Sequence, residues 1–210
     1  TLRVLRETKE DNVNILISLK FFDHEQILKK RCEPIESVDN ITRNDFQPRG
    51  QTALLDAIGD TLSYFMEKKL MNPNAYTNCI VYVATDGMEN ASKRYNNEKI
   101  KKMIQTADEK YNIKVLYLGA NQDAIFEANK FGLGSERAMN YSENGENVTA
   151  AYRSLACATV RSRTTGSTGF TQAERSASQS PDVRDNVSLP HAAVNSSTAG
   201  PPPVRRRLYN

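Results

Sequence analysis

Two short segments of this chain carry oxygen donors where a fold could bring them together. The first is Pro48-Arg49-Gly50-Gln51-Thr52-Ala53-Leu54-Leu55-Asp56-Ala57-Ile58, which sets a hydroxyl just ahead of an apolar run with helical spacing. The second, Thr85-Asp86-Gly87-Met88-Glu89-Asn90, directly follows the apolar run Cys79-Ile80-Val81-Tyr82-Val83-Ala84. In open α/β sheets, loops of this kind between strands and helices are where ligands sit. Each segment also has a purely structural reading. Thr52 suits the N-cap of the helix it opens, and Asp56 in the first turn suits the helix dipole. Asp86-Gly87 is a common turn dipeptide.

The elements that must position these loops alternate in type. Val13 to Phe22 is β-branched and aromatic, and a second strand over Ile27–Cys32 can pair with it around the turn Asp23-His24-Glu25. Leu54, Leu55, Ile58, Leu62, Phe65 and Met66 recur at helical spacing until Asn72-Pro73-Asn74 stops the helix. The run Cys79–Ala84 reads as a strand covered on both faces. Ile100, Met103, Ile104, Ala107 and Tyr111 mark a helix, and Ile113–Leu118 another buried strand. Ala124, Ile125, Ala128 and Phe131 give a short helix, Ala138–Tyr141 an edge strand, and Asn147 to about Val160 a closing helix. This order predicts an α/β fold, a doubly wound, Rossmann-like and mostly parallel sheet with right-handed crossovers. In such sheets ligands sit beyond the carboxyl ends of the strands, which is where both oxygen-bearing loops fall.

Composition bounds the rest. Of 210 residues, 39% are hydrophobic and the net charge is +3, too small to argue for nucleic acid. No run approaches the ~20 apolar residues of a membrane span, and no basic-then-apolar opening resembles a signal peptide. Three widely spaced cysteines (Cys32, Cys79, Cys157) form neither a disulfide framework nor a metal knuckle, and reduced thiols in a cytoplasmic protein are expected. Residues 161–210 hold seven Arg, no Lys, three acids, thirteen Ser/Thr and five Pro, with only seven Val, Leu, Ile or Phe. So little apolar surface cannot offset the entropy of ordering, so the domain is expected over 1–160 and a disordered tail over 161–210. The tail's Pro201-Pro202-Pro203-Val204-Arg205-Arg206-Arg207 end reads as a solvated run or a basic docking signal.

Gly-x-Thr-x-Leu-x-x-Ala before an amphipathic helix, then an apolar strand ending in Thr-Asp-Gly-x-x-Asn, resembles the von Willebrand factor type A (vWA) domain. The element order, the segment Leu118-Gly119-Ala120-Asn121-Gln122-Asp123-Ala124 and the closing helix extend the likeness over roughly residues 1–160, toward a microbial and viral branch. The resemblance implies a metal-ion-dependent adhesion site, in which Mg²⁺ (or Mn²⁺) at the top of the sheet is bridged by a carboxylate of a partner protein. It would give Thr52 the hydroxyl ligand and Asp86 the carboxylate, direct or through water, with Gly50 and Gly87 turning the backbone tightly beside the ion.

The sequence also departs from that pattern. The family's Asp-x-Ser-x-Ser loop, between its first strand and first helix, has no counterpart before Thr52. Thr1 to Glu10 looks like the end of that helix, so the family's first strand, which lies at the centre of its sheet, is expected to be missing through an N-terminal truncation. One hydroxyl and one carboxylate should hold Mg²⁺ weakly, and no tight metal site is expected. The implied function is a non-enzymatic protein-interaction module; a metal-independent scaffold or structural protein is the alternative. A nucleotide- or flavin-binding enzyme would rest on Gly132-Leu133-Gly134-Ser135, but that GxG follows a helix and reads as a C-cap and turn. His24 lies in a turn and His191 in the tail, so neither is placed to activate a nucleophile. Asp23 ends a strand, where it either faces the metal end or turns the chain.

Overall fold

A computed structural model describes residues 1–7, 9, 13–42, 44, 45, 47, 49–120 and 123–179. Helix α1 (Leu2–Glu7) leads to strands β1 (Leu16–Phe22) and β2 (Gln26–Pro34), which pair antiparallel around the Asp23–Glu25 turn. Helix α2 (Leu54–Met71), strand β3 (Cys79–Thr85), helix α3 (Asn97–Tyr111) and strand β4 (Ile113–Ala120) follow. Helix α4 (Ala124–Lys130), strand β5 (Ala138–Tyr141), and helices α5 (Gly145–Thr165) and α6 (Gln172–Ala177) complete the order. The chain is therefore α/β, with a parallel sheet in the order β3-β4-β5 and a separate β1–β2 hairpin.

Local chemistry accounts for the boundaries. Asn96 caps α3 by accepting from Lys99 N–H, and Asn112 ends it in the left-handed region at φ 51°, which Asn tolerates. Gly132, at φ 82°, carries the turn after α4, while Leu133 N–H donates to Ala128 O at 3.0 Å. That is the helix-end bonding expected of Phe131-Gly132-Leu133-Gly134, so this GxG is engaged in ending a helix.

Helices cover both faces of the sheet. On one side Leu54, Ile58 and Leu62 of α2 and Ile100 and Ile104 of α3 pack on Val81, Val83, Val115 and Tyr117, with Phe22 of β1 joining the same core. On the other, Ala151, Leu155 and Ala158 of α5 meet Leu116, Leu118 and Met139. A third cluster joins Leu5 of α1 and Ala156 of α5 to Ile35, with Ile15 and Ile17 against it. Both the hairpin and the parallel sheet are thus held between the α2 side and the α1/α5 side.

The run Cys79–Ala84, expected as a strand covered on both faces, lies in β3: Val81 and Val83 join one core cluster, and Ile80, Tyr82 and Ala84 pack half-buried against the other. The expected break at residue 160 is displaced. Helix α5 runs on to Thr165, Phe170 is 4% exposed within the second cluster, and α6 opens with a full Thr171/Glu174 capping box. Arg161 pairs with Glu174 at 2.9 Å and donates to Gly169 O at 2.6 Å, fastening the segment down. The described fold reaches Gln179; the remainder of the expected tail, including the Pro201–Arg207 run, lies outside the described residues.

Candidate functional site

The register of the parallel sheet brings the sequence-predicted loops to one end. Thr85 lies opposite Gly119, and Ala120 opposite Tyr141, so the carboxyl ends of β3, β4 and β5 lie side by side. The segment before α2 is drawn to the same place. Thr52 N–H donates to Asn90 Oδ1 at 2.8 Å, and Thr52 O accepts from Asn90 N–H at 3.1 Å and Ala91 N–H at 3.2 Å. Asp86 is exposed, and Thr52 half-buried. A Cβ built on Gly87 would stand 2.5 Å from Thr52 Oγ1, so the hydroxyl rests directly on the backbone beside Asp86. Gly87 is required here for close approach, while Gly50, at φ 81° with open space around it, is required for its backbone conformation.

Thr52 does not act as the N-cap. Ala53 occupies that position and makes no side-chain cap hydrogen bond. The start of α2 is satisfied instead from the loop after β3. Leu55 N–H donates to Glu89 Oε2 at 2.8 Å, and Asp56 N–H to Ser92 Oγ at 3.0 Å. The other oxygen of Glu89 accepts from Ala91 N–H at 3.0 Å and Ser92 N–H at 2.8 Å. One carboxylate thereby ties the helix start to the loop, supplying negative charge where the helix dipole favours it.

Asp56 completes the tie from the helix side. It is 6% exposed and accepts from the N–H groups of Lys93, Arg94 and Tyr95 at 3.0, 3.0 and 3.1 Å. Burial alone would raise its pKa, but these three donors and the Arg94 charge outweigh it and hold the carboxyl below its ordinary value. Sequence reasoning had Asp56 as a dipole partner and gave Glu89 no role. The signal for both is weak, because the groups they satisfy are backbone amides about 35 residues away.

Asp23 turns the chain. Its side chain is 3% exposed, accepts from Glu25 N–H at 2.8 Å and takes both a 2.7 Å and a 3.0 Å bond from Arg49. The Arg49 guanidinium, the Glu25 N–H and, more weakly, His24 lower its carboxyl to about 2. Its carbonyl accepts from Ala53 N–H at 2.7 Å, so the end of β1 also reaches the Thr52 segment. Tyr141 and Tyr152 were not anticipated. Burial pushes the Tyr141 phenol up to about 12, with Tyr152 and then Asp86 adding to it, and burial followed by Asp86 raises Tyr152. Both phenols therefore lie within electrostatic reach of Asp86.

The arrangement offers a cation one hydroxyl and one exposed carboxylate at the mouth of the sheet. These fit a hydrated Mg²⁺ as a partial ligand set, since that ion keeps several waters and is bound through one or two carboxylates. Among the described residues no group of three or more His, Cys, Asp or Glu side chains is placed to hold a metal. No described helix is long and apolar enough to cross a membrane. Cys79 opens β3 half-buried, and burial pushes its thiol up to about 12, in keeping with a packing role.

The class these observations define is an α/β chain with a three-stranded parallel sheet and its oxygen-bearing loops at the carboxyl end. The chain matches no protein-family model, no curated protein and no solved structure.

Proposed function

We propose that this chain is a protein-interaction module of the vWA type, non-enzymatic, whose partner presents a carboxylate to a divalent cation held at Thr52 and Asp86. The observation that carries the reading is the seating of the Thr52 hydroxyl on Gly87, next to the exposed Asp86, at the carboxyl end of a parallel sheet. Two segments 34 residues apart meet there, and Glu89 and Asp56 brace their meeting rather than occupy it.

In this reading Thr52 supplies a neutral oxygen, Asp86 a charged one, and a carboxylate from the partner completes the set. When bound, the cation would lend the positive charge that an acidic side chain seeks. A metal-independent scaffold is the second reading, favoured by the small number of oxygen ligands the described residues bring together.

A Mn²⁺ titration followed by amide NMR tests the proposal. Paramagnetic broadening should begin at residues 52 and 86–90, in the millimolar range, and Asp86→Asn should remove it. Broadening that starts elsewhere and ignores Asp86→Asn would overturn the cation reading in favour of the scaffold.

A further inference from the structure

Strand β2 carries the basic run Lys29-Lys30-Arg31, and its pairing with β1 is irregular there. Ile17 lies opposite Glu33 and Leu19 opposite Lys30, so Arg31 and Cys32 together face Ser18. Two residues against one make a β-bulge, which re-aims the side chains beside it. Cys32 takes the left-handed backbone at φ 51°, unfavourable for a residue with a Cβ. Ser18 Oγ holds it there by accepting the Cys32 N–H at 3.0 Å. Beside this bulge Arg31 reaches α2, and its guanidinium carbon stands 5.2 Å from the centre of the Tyr64 ring. Lys68, one helical turn beyond Tyr64, brings its ammonium to 5.9 Å from the same centre.

The neighbouring cations are already engaged. Lys30 pairs with Glu33 at 3.0 Å, and Arg94 with Asp60 at 2.6 Å. Lys20 Nζ donates to Gln26 Oε1 at 2.9 Å, and Lys69 Nζ to Tyr76 O at 2.6 Å. Lys29 lies within electrostatic reach of Asp45. Among the described residues the Arg31 and Lys68 side chains have no acceptor, only the ring they share. An aromatic face attracts a cation without neutralising it, so two full positive charges gather at Tyr64.

We infer that Arg31 and Lys68, gathered at Tyr64, form a receptor for a phosphate monoester carried on a partner polypeptide. At neutral pH a phosphorylated side chain bears a charge of about −1.5 to −2 and three acceptor oxygens, which matches two cations. A carboxylate or a phosphodiester brings only one charge. Arg31 supplies a planar fork that can take two of the oxygens, and Lys68 a point charge for the third. The ring is occupied by the cations, which leaves it unsuited to stacking a nucleotide base. Arg31 is exposed, so a small phosphate compound would find few contacts beyond the two charges, whereas a polypeptide adds contacts along the same flank. The inference is independent of the cation reading at Thr52 and Asp86.

The test is an NMR titration of the full 210-residue chain with a short peptide bearing a central phosphoserine. Shifts should begin at the Arg31 Nε–H, the Lys68 side chain and the Tyr64 ring. Binding should be at least ten-fold tighter than that of the same peptide with Asp at the centre. Arg31→Gln and Lys68→Gln should each weaken it five-fold or more, while Lys29→Gln should change it less than two-fold. All three positions are at least partly exposed, and unchanged amide spectra would verify folding.

Equal binding of the phosphoserine and Asp peptides, or binding that survives both substitutions, would overturn the receptor. Inorganic phosphate binding as tightly as the phosphopeptide would overturn the polypeptide as carrier. Tighter binding of decauridylate, or of phosphatidylserine vesicles, would overturn the monoester in favour of a phosphodiester surface.

Discussion

Thr52 and Gly87 are in steric register: the hydroxyl of one fills the space where a side chain on the other would begin, with 2.5 Å left for a Cβ. Gly87→Ala should therefore displace Thr52 and destabilise the chain by roughly 1–3 kcal/mol, the usual range for overpacking. With Thr52→Ala the nearest remaining atom is the Cβ at 3.5 Å, an ordinary contact. The double variant should be more stable than Gly87→Ala alone, with a coupling of about 1 kcal/mol or more by urea denaturation. Additive costs would show that the two residues do not share this space.

Glu89 is expected to matter more than its surface position suggests. Glu89→Ala leaves the Leu55, Ala91 and Ser92 amides without their acceptor, at a cost of about 2 kcal/mol. Hydrogen exchange should accelerate at those three amides first. Glu89→Gln keeps an oxygen acceptor but loses the charge, and should recover part of the loss.

Asp23 gives a pH signature of definite sign. Its folded pKa of about 2 lies below the ordinary value of 3.8, so its stabilising contribution is complete above the ordinary value. That contribution fades as pH falls through the interval between 3.8 and about 2. A carboxyl-carbon NMR titration should place the Asp23 midpoint near the lower limit. Arg49→Met removes the guanidinium that lowers it most, and the midpoint should rise; an unmoved midpoint would assign the depression to the Glu25 amide instead.

The segment 161–179 should behave as part of the domain. Phe170→Ala is expected to cost about 3–5 kcal/mol as a large-to-small core change. Glu174→Ala opens the capping box and frees Arg161, for roughly 1–2 kcal/mol. Truncation after residue 160 should lower the melting temperature sharply by uncovering Met139 and Leu155. A truncated chain as stable as the full one would restore the boundary expected from composition.

The hairpin, the helices and the parallel order were legible because each element carries its own period and its own stop signal. Thr52 and Asp86 were legible as a pair because their glycine-bearing loops flank an amphipathic helix and an apolar strand. The Thr52 N–H bond to Asn90 joins the two loops beside the carboxyl end of β3. Glu89 and Asp56 were not, since a carboxylate bonded to remote amides looks in sequence like any charged loop or helix residue. The extent of the fold was missed for a different reason. Averaging composition over fifty residues diluted Phe170 and the Thr171-x-x-Glu174 box, a local signal that was present. Strand β3 differs only in degree from a strand buried on both faces: Val81 and Val83 are buried, while Ile80, Tyr82 and Ala84 pack half-buried against the second cluster.

The fastening of α6 has a consequence for handling this molecule. Ser142 N–H donates to Ser178 O at 3.2 Å, and Ser178 Oγ to Asn140 O at 3.1 Å, which pins residue 178 to the end of β5. Two strand spacings, roughly 10 Å, separate that strand from β3. In a chain shortened to end at Gln179, a dye, an affinity tag or a fused domain attached there would start from the end of β5, at the same end of the sheet as Asp86. It would compete there as an intramolecular ligand at an effective concentration on the order of millimolar. Immobilising the protein through that point would place the candidate site against the support, so surface-binding measurements should anchor it elsewhere.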